Sequence, residues 1–181
     1  MTDTNLIPAW ENDTLKPLDK LDVHQRGLRH RAVSVFVVSE NRVLIQQRAA
    51  GKYHTPNLWA NTCCTHPYWN EDAARCAQRR LQQELGIIGL HMAPAGQVEY
   101  RADVGGGLTE HEVVDVFTAN APADLPLTLN PDEVQATRWV DLYDLAAETR
   151  RWPDRFTPWL RIYLSDHMDQ IFGPAVRHVA I

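Results

Sequence analysis

A chain of 181 residues, 44% apolar and 23% charged, is long enough to bury the core of one domain, and its composition excludes global disorder. Its 18 Lys and Arg against 23 Asp and Glu leave a formal net charge of −5, without the broad cationic footprint that a nucleic-acid backbone requires. A small anion is still compatible with such a chain where a local pocket or a metal ion supplies positive charge.

Residues 1–23 read as an irregular lead-in, interrupted by Pro8 and Pro17 and lacking both parts of a secretory signal. Ala32–Ser39 is rich in β-branched residues and predicts a largely buried strand. Glu40-Asn41 turns it into a second strand, Arg42–Gln47, and residues 49–57 form a loop. Glu71–Leu85 predicts a helix: Ala73, Ala77, Leu81 and Leu85 make an apolar stripe, and Gly86 is its stop. Cys76, Arg80 and Glu84 form a second stripe beside the first. Residues 96–102 and 110–118 read as strands joined by a loop at Gly105-Gly106-Gly107, which lacks the pattern of a phosphate loop. Val134–Val140 is a further strand, Asp141 caps a short helix, and one longer amphipathic helix covers Pro158–Phe172. Strands and helices are interspersed, which predicts an α/β domain with a mixed sheet.

The longest apolar run, Ala32–Val38, falls far short of the ~20 residues of a membrane span, and the C-terminal HVAI carries no prenylation cysteine. Three cysteines cannot all pair within the chain, which favours a reduced, cytoplasmic setting.

In TEHEVVDVF, alternation puts Glu110 and Glu112 on one face, roughly 7 Å apart, with Val114 and Val116 following and His111 opposite. Taken alone, the pair reads as two solvated acids at a strand end; if buried, it calls for positive charge such as a divalent cation. In NTCCTHP, Cys64 and His66 share a face and Cys63 reads as a small buried hydrophobe. The spacing is not that of structural zinc. Cys76 reads as packing. Isolated histidines such as His24 and His30 are usually surface or core residues. With His66, Glu110 and Glu112, however, they would complete three imidazoles and two carboxylates, a set suited to manganese, iron or zinc rather than calcium. Arg48, Lys52, Arg79 and Arg80 are candidate anion contacts, each reading alone as a solvated charge.

The ordered assembly NTCCTHP, RRLQQELG, EYRAD and TEHEV resembles the type I isopentenyl-diphosphate isomerases of the Nudix superfamily, over about His24 to Trp159. The Nudix pattern G-x5-E-x7-R-E-U-x-E-E-x-G-U (U apolar), laid on Thr65–Ile87, keeps Glu71, Arg79, Leu81, Glu84, Gly86 and Ile87. Thr65, Arg80 and Gln83 replace the first glycine and two acids, which argues against pyrophosphate hydrolysis. Asn70 stands where a glycine is expected before the helix.

The resemblance implies a single α/β domain over 24–181, with a Nudix-like mixed sheet sandwiched between helices. It implies interconversion of isopentenyl and dimethylallyl diphosphate through a tertiary carbocation. Cys64 and Glu112 match the acid/base groups on opposite faces of the substrate, with Tyr100 in a proton relay. His24, His30, His66, Glu110 and Glu112 match the ligands of a tightly bound divalent metal, manganese preferred, zinc or iron possible. Glu84 matches the acid that holds magnesium with the substrate diphosphate. Arg48, Lys52 and Arg80 match diphosphate contacts, and Trp159 an active-site aromatic whose ring face attracts the cation and excludes water. No nucleic-acid, membrane or obligate protein partner is implied. The competing readings are a Nudix hydrolase of a nucleoside diphosphate derivative and a non-catalytic metal- or nucleotide-binding regulator.

Overall fold

The computed structural model describes residues 5–173. The chain opens with a hairpin, β1 (Leu6–Glu11) and β2 (Thr14–Asp19), then a short helix, α1 (Lys20–Arg26). The expectation of an irregular lead-in over 1–23 therefore fails from residue 6 onward. Its prolines do not break the hairpin because Pro8 and Pro17 lie opposite each other in its register. Trp10 donates its N–H outward to the carbonyl of Arg29, so by alternation the two prolines occupy a pair that exchanges no N–H bonds.

The remaining elements are β3 (His30–Ser39), β4 (Arg42–Arg48), β5 (Trp59–Ala60), β6 (Cys63–Thr65), α2 (Ala73–Leu85), β7 (Ala93–Gly105), β8 (Leu108–Asn120), β9 (Val134–Asp141), α3 (Leu142–Arg151), α4 (Pro158–Asp166) and α5 (Met168–Phe172). The strands form one mixed sheet. One edge of β3 runs parallel to β8, and the other is shared in turn by β1, β6 and β4, all antiparallel. β7 flanks β8, and β9 flanks β4.

Helices cover both faces of this sheet, as the fold class expected. Ala32 and Phe36 of β3 pack with Leu142, Trp159 and Tyr163 on one side, while Val33, Val35 and Val37 pack with Cys76, Ala77 and Leu81 of α2 on the other. A strand buried on both faces needs a continuous apolar run, and each such side chain contributes roughly 1.5–3 kcal/mol. Among the described residues no helix is long and apolar enough to cross a membrane.

α2 begins two residues later than expected. Asp72 caps it, accepting from the N–H groups of Ala74 and Arg75 at 3.0 and 3.1 Å. Glu71 lies outside the helix and grips Arg79 with both oxygens, at 2.7 and 2.8 Å, so Arg79 serves the fold rather than an anion. Asn70 adopts φ +63°, a left-handed turn that explains why glycine was expected there. The single helix expected over Pro158–Phe172 is two pieces, broken at His167. The break lets α5 swing to the sheet, where Gln170 donates to the carbonyl of Gln97 at 3.2 Å.

Candidate functional site

Strand register alone brings three polar side chains together. His30 of β3 pairs with Glu112 of β8, and Glu112 pairs with Tyr100 of β7. Glu110 lies two residues along the same face. His24 arrives from α1 and His66 from the segment leaving β6. His24, His30, Glu110 and Glu112 are almost wholly excluded from solvent. Ligand atoms of His24, His30, His66 and Glu110 lie within 4.8 Å of one another. Glu112 joins them, its Oε1 3.0 Å from His66 Nε2 and 3.7 Å from His30 Nε2.

The hydrogen bonds behind the rings define what these histidines present. His24 Nδ1 lies 2.5 Å from the carbonyl of Lys20, and His30 Nδ1 2.7 Å from that of Leu28. A carbonyl only accepts, so both Nδ1 atoms carry hydrogen and a neutral ring turns its Nε2 lone pair inward. Those Nε2 atoms stand 3.2 and 3.3 Å from Glu110 Oε2. The three atoms have no hydrogen-bond partner among the described residues, nor does His66 Nε2. Lone pairs facing an acceptor in a dry site are stable only around a proton or a cation. A divalent cation satisfies all of them at once, and the imidazole–carboxylate donor set fits one.

The protonation tendencies agree. Burial disfavours charge on His30, but Glu110 and Glu112 outweigh it and raise its pKa to about 9. Burial, helped by Lys20, drives His66 well below its ordinary value, leaving a neutral ring. Burial would raise Glu112, yet His30 and His66 hold it well below the usual carboxylate range. A cation competes with the proton for the same His30 lone pair.

The two oxygens of Glu112 serve different neighbours. While Oε1 faces the imidazoles, Oε2 accepts a 2.6 Å hydrogen bond from the Tyr100 hydroxyl. Burial, then the Glu112 charge, pushes the Tyr100 phenol well up, so it remains a donor. Cys64 and Glu112 line the same cleft. The Cys64 thiol is raised well above its ordinary pKa by burial, then by Glu112, while the Ser34 hydroxyl, donating at 3.4 Å, acts in the opposite direction. Cys63 and Cys76 are fully buried packing residues, as expected.

The other end of the cleft is cationic. Arg80 meets Glu84 at 2.5 Å and Glu133 at 3.3 Å, and Lys52 meets Glu133 at 2.5 Å. Glu84 also accepts from Gln46 at 2.8 Å. Arg48 donates to the carbonyls of Thr55 and His54, both at 3.2 Å, and lies 5.3 Å over the Trp159 ring. Trp159 is buried, lines the cleft and donates to Asn61 at 3.2 Å. A larger cavity of about 440 Å³ between α3 and α4 has no carboxylate, thiol or imidazole among its described lining residues, so chemistry rather than volume locates the site.

Sequence reasoning missed several lining residues, His54, Lys20 and Glu133 among them. His54 stands 3.2 Å from Glu110 Oε1 and stacks on His24 with centroids 5.9 Å apart; burial, then Arg48, lowers its pKa to about 3. Lys20 adds a further cation to the cleft, and Glu133 is the acid that pairs with Lys52 and Arg80 there. A histidine in an aperiodic loop carries no spacing signal. The one local clue is its neighbour Thr55, a β-branched residue at φ +46°, which is visible only in the fold.

Comparison with known proteins identifies the family and the fold. The NUDIX domain model matches residues 28–160. The chain is 66% identical over 170 residues to an isopentenyl-diphosphate Delta-isomerase of Cereibacter sphaeroides, covering 94% of this chain and 96% of the relative. It is 61% identical over 169 residues to the protein of the same name from Dinoroseobacter shibae, covering 93% and 96%. Among solved structures, DR0079 from Deinococcus radiodurans superposes with a TM-score of 0.70 at 15% identity, over 88% of this chain and 96% of that one. A MutT NUDIX hydrolase from Burkholderia pseudomallei gives 0.60 at 24% identity, over 77% and 98%. These two likenesses are of fold.

Proposed function

The chain belongs to the NUDIX domain family and, within it, to the isopentenyl-diphosphate Delta-isomerases, and from that premise we propose that Cys64 and Glu112 are the groups that exchange protons with its substrate. The reaction moves a double bond between isopentenyl and dimethylallyl diphosphate. An alkene is a weak base, so its protonation needs a positioned acid; the tertiary carbocation that results needs a positioned base and no water. One proton is added at the terminal carbon, which puts the cation on the next carbon, and one leaves the methylene on that carbon's other side, so composition is conserved.

The single observation that carries this reading is the divided Glu112 carboxylate, one oxygen among the imidazoles and the other on Tyr100, in the cleft that Cys64 lines. Tyr100 supplies a relay hydroxyl on the carboxylate side. The Trp159 ring excludes water and favours positive charge beside it, worth ~0.5–2 kcal/mol. Arg48, Lys52 and Arg80 hold the diphosphate, and that remote binding positions the hydrocarbon. Glu84 holds magnesium arriving with the diphosphate, an oxygen-rich setting that suits it. A resident divalent ion on His24, His30, His66, Glu110 and Glu112, manganese by preference and zinc or iron as alternatives, supplies fixed positive charge that keeps Glu112 ionised and oriented. The reaction belongs in a reducing cytoplasm, where Cys64 stays a thiol, and it requires no nucleic-acid, membrane or protein partner.

The test is incubation of purified, reduced, manganese-loaded protein with isopentenyl diphosphate and magnesium, followed by product analysis and a phosphate-release assay. Dimethylallyl diphosphate without phosphate release is expected. Phosphate release without bond migration would identify a hydrolase, and tight binding without turnover a regulator.

A further inference from the structure

We propose that Ser34 and Tyr163 are positioning residues for Cys64, holding its sulfur in place through a chain of two hydroxyls; the inference rests on the reading that Cys64 exchanges a proton with the substrate. Ser34 is the polar exception in the run Ala32–Val37 of β3, whose other members are apolar, and every residue of the run is 0% exposed. Register places Ser34 directly opposite Cys64 on β6, so the two side chains emerge side by side on one face. The Ser34 Oγ donates to Cys64 Sγ at 3.4 Å, and its other neighbour is the Tyr163 hydroxyl at 2.9 Å.

A serine hydroxyl has one hydrogen. With that hydrogen on sulfur, Ser34 Oγ can only accept from Tyr163, which fixes the direction of the chain as Tyr163 to Ser34 to Cys64. Tyr163 also lies on α4 one turn beyond Trp159, and its ring packs edge-to-face on Tyr100 with centroids 6.1 Å apart. Tyr100 in turn donates to Glu112. One buried side chain therefore braces the thiol through Ser34 and the carboxylate through Tyr100. Packing alone does not account for the two hydroxyls. Alanine and phenylalanine would fill these places in an apolar cluster without burying oxygen, which is unfavourable unless paired.

The test compares Ser34→Ala, Tyr163→Phe, their double variant, Ser34→Thr and Cys64→Ala, each as reduced, metal-loaded, full-length protein turning over isopentenyl diphosphate. Ser34→Ala should lower kcat about tenfold or more with KM nearly unchanged, because a misplaced sulfur affects the reacting carbons and not the diphosphate. Tyr163→Phe keeps the ring contacts and should lower kcat by about threefold. The double variant should be no slower than Ser34→Ala, since Tyr163 acts through Ser34. Ser34→Thr, which keeps the hydroxyl, should recover most of the rate. Unchanged kcat in Ser34→Ala, or single effects that multiply in the double variant, would overturn the proposal. If Ser34→Ala does not fold, Tyr163→Phe decides alone, and an unchanged kcat there overturns it. Wild-type turnover by Cys64→Ala would instead remove the reading of Cys64, and the proposal with it.

Discussion

A carboxylate with one oxygen among imidazoles and the other on a phenol has little freedom to turn, so the roles of the neighbouring residues separate cleanly on substitution. Cys64→Ala removes a half-buried sulfur that no metal ligand touches by hydrogen bond, so fold and metal content should persist while isomerisation is nearly abolished. Product formation, thermal midpoint and bound metal are the three readouts, and wild-type turnover would exclude Cys64 from the chemistry. Arg80→Ala should act differently. It removes a charge-assisted contact worth ~1.5–3 kcal/mol, raising KM about tenfold or more with a smaller effect on kcat. Unfolding of that variant would instead make Arg80 a structural partner of Glu84 and Glu133. At this scale the sequence was partly legible. Alternation placed Glu110 with Glu112, and Cys64 with His66. His54, Ser34, Tyr163 and Glu133 were silent because each acquires its meaning from a partner between 30 and 129 positions away, such as Cys64 for Ser34 and Ser34 for Tyr163.

The elements were legible where periodicity is local. The hairpin of β3 and β4 and the stripe of α2 follow from side-chain spacing, and Asp141 caps α3 as expected, accepting from Tyr143 N–H at 2.8 Å. The opening hairpin was hidden because its prolines read as breakers until their pairing is known. The break between α4 and α5 was hidden because it is dictated by the sheet edge that α5 reaches. The end of α2 combines both kinds of information. Gly86 adopts φ +69°, and an added Cβ would meet Thr128 Cβ at 2.8 Å. Thr128 and Asn130 donate at 2.9 Å to the carbonyls of Leu85 and Glu84, satisfying acceptors that the helix leaves open. Gly86→Ala should therefore destabilise the protein by about 1–3 kcal/mol, read as a fall in the urea midpoint. An unchanged midpoint would show that the segment following the helix yields easily.

For the whole molecule, convergence is the property that no stretch of sequence contains. The helix after the first hairpin, β3, the segment leaving β6 and β8 each deliver a part of the candidate metal cluster, and donor chemistry could group these residues beforehand while sequence spacing could not bring them together. Because those parts lie far apart in the unfolded chain, binding of a cation by them would be coupled to folding. Metal at about 100 times Kd should add ~2.7 kcal/mol of stability. The metal-free protein should also show an alkaline decline. His30 titrates near 9 when folded and near its ordinary 6.5 when unfolded, so its contribution is complete below 6.5 and lost as pH rises through 9. The raised Cys64 thiol has the same sign above its ordinary range, whereas the lowered His54 and His66 act below 6.5. Urea midpoints measured from pH 6 to 10 should fall more steeply without metal than with it, the thiol contribution remaining in both. A flat profile in chelator would remove His30 from the cluster's energetics.

Glu133 has a consequence of its own. Its carboxylate already sits between Lys52 and Arg80, a resident anion in the seat that the proposed function gives to an incoming one. On that proposal, arrival of a diphosphate is a swap of negative groups rather than the filling of bare positive charge. A weakly charged visitor gains little by the swap, whereas one carrying several ionised oxygens and its own magnesium gains much. A cleft built on that proposal sorts its callers by charge before any carbon–hydrogen bond is at stake.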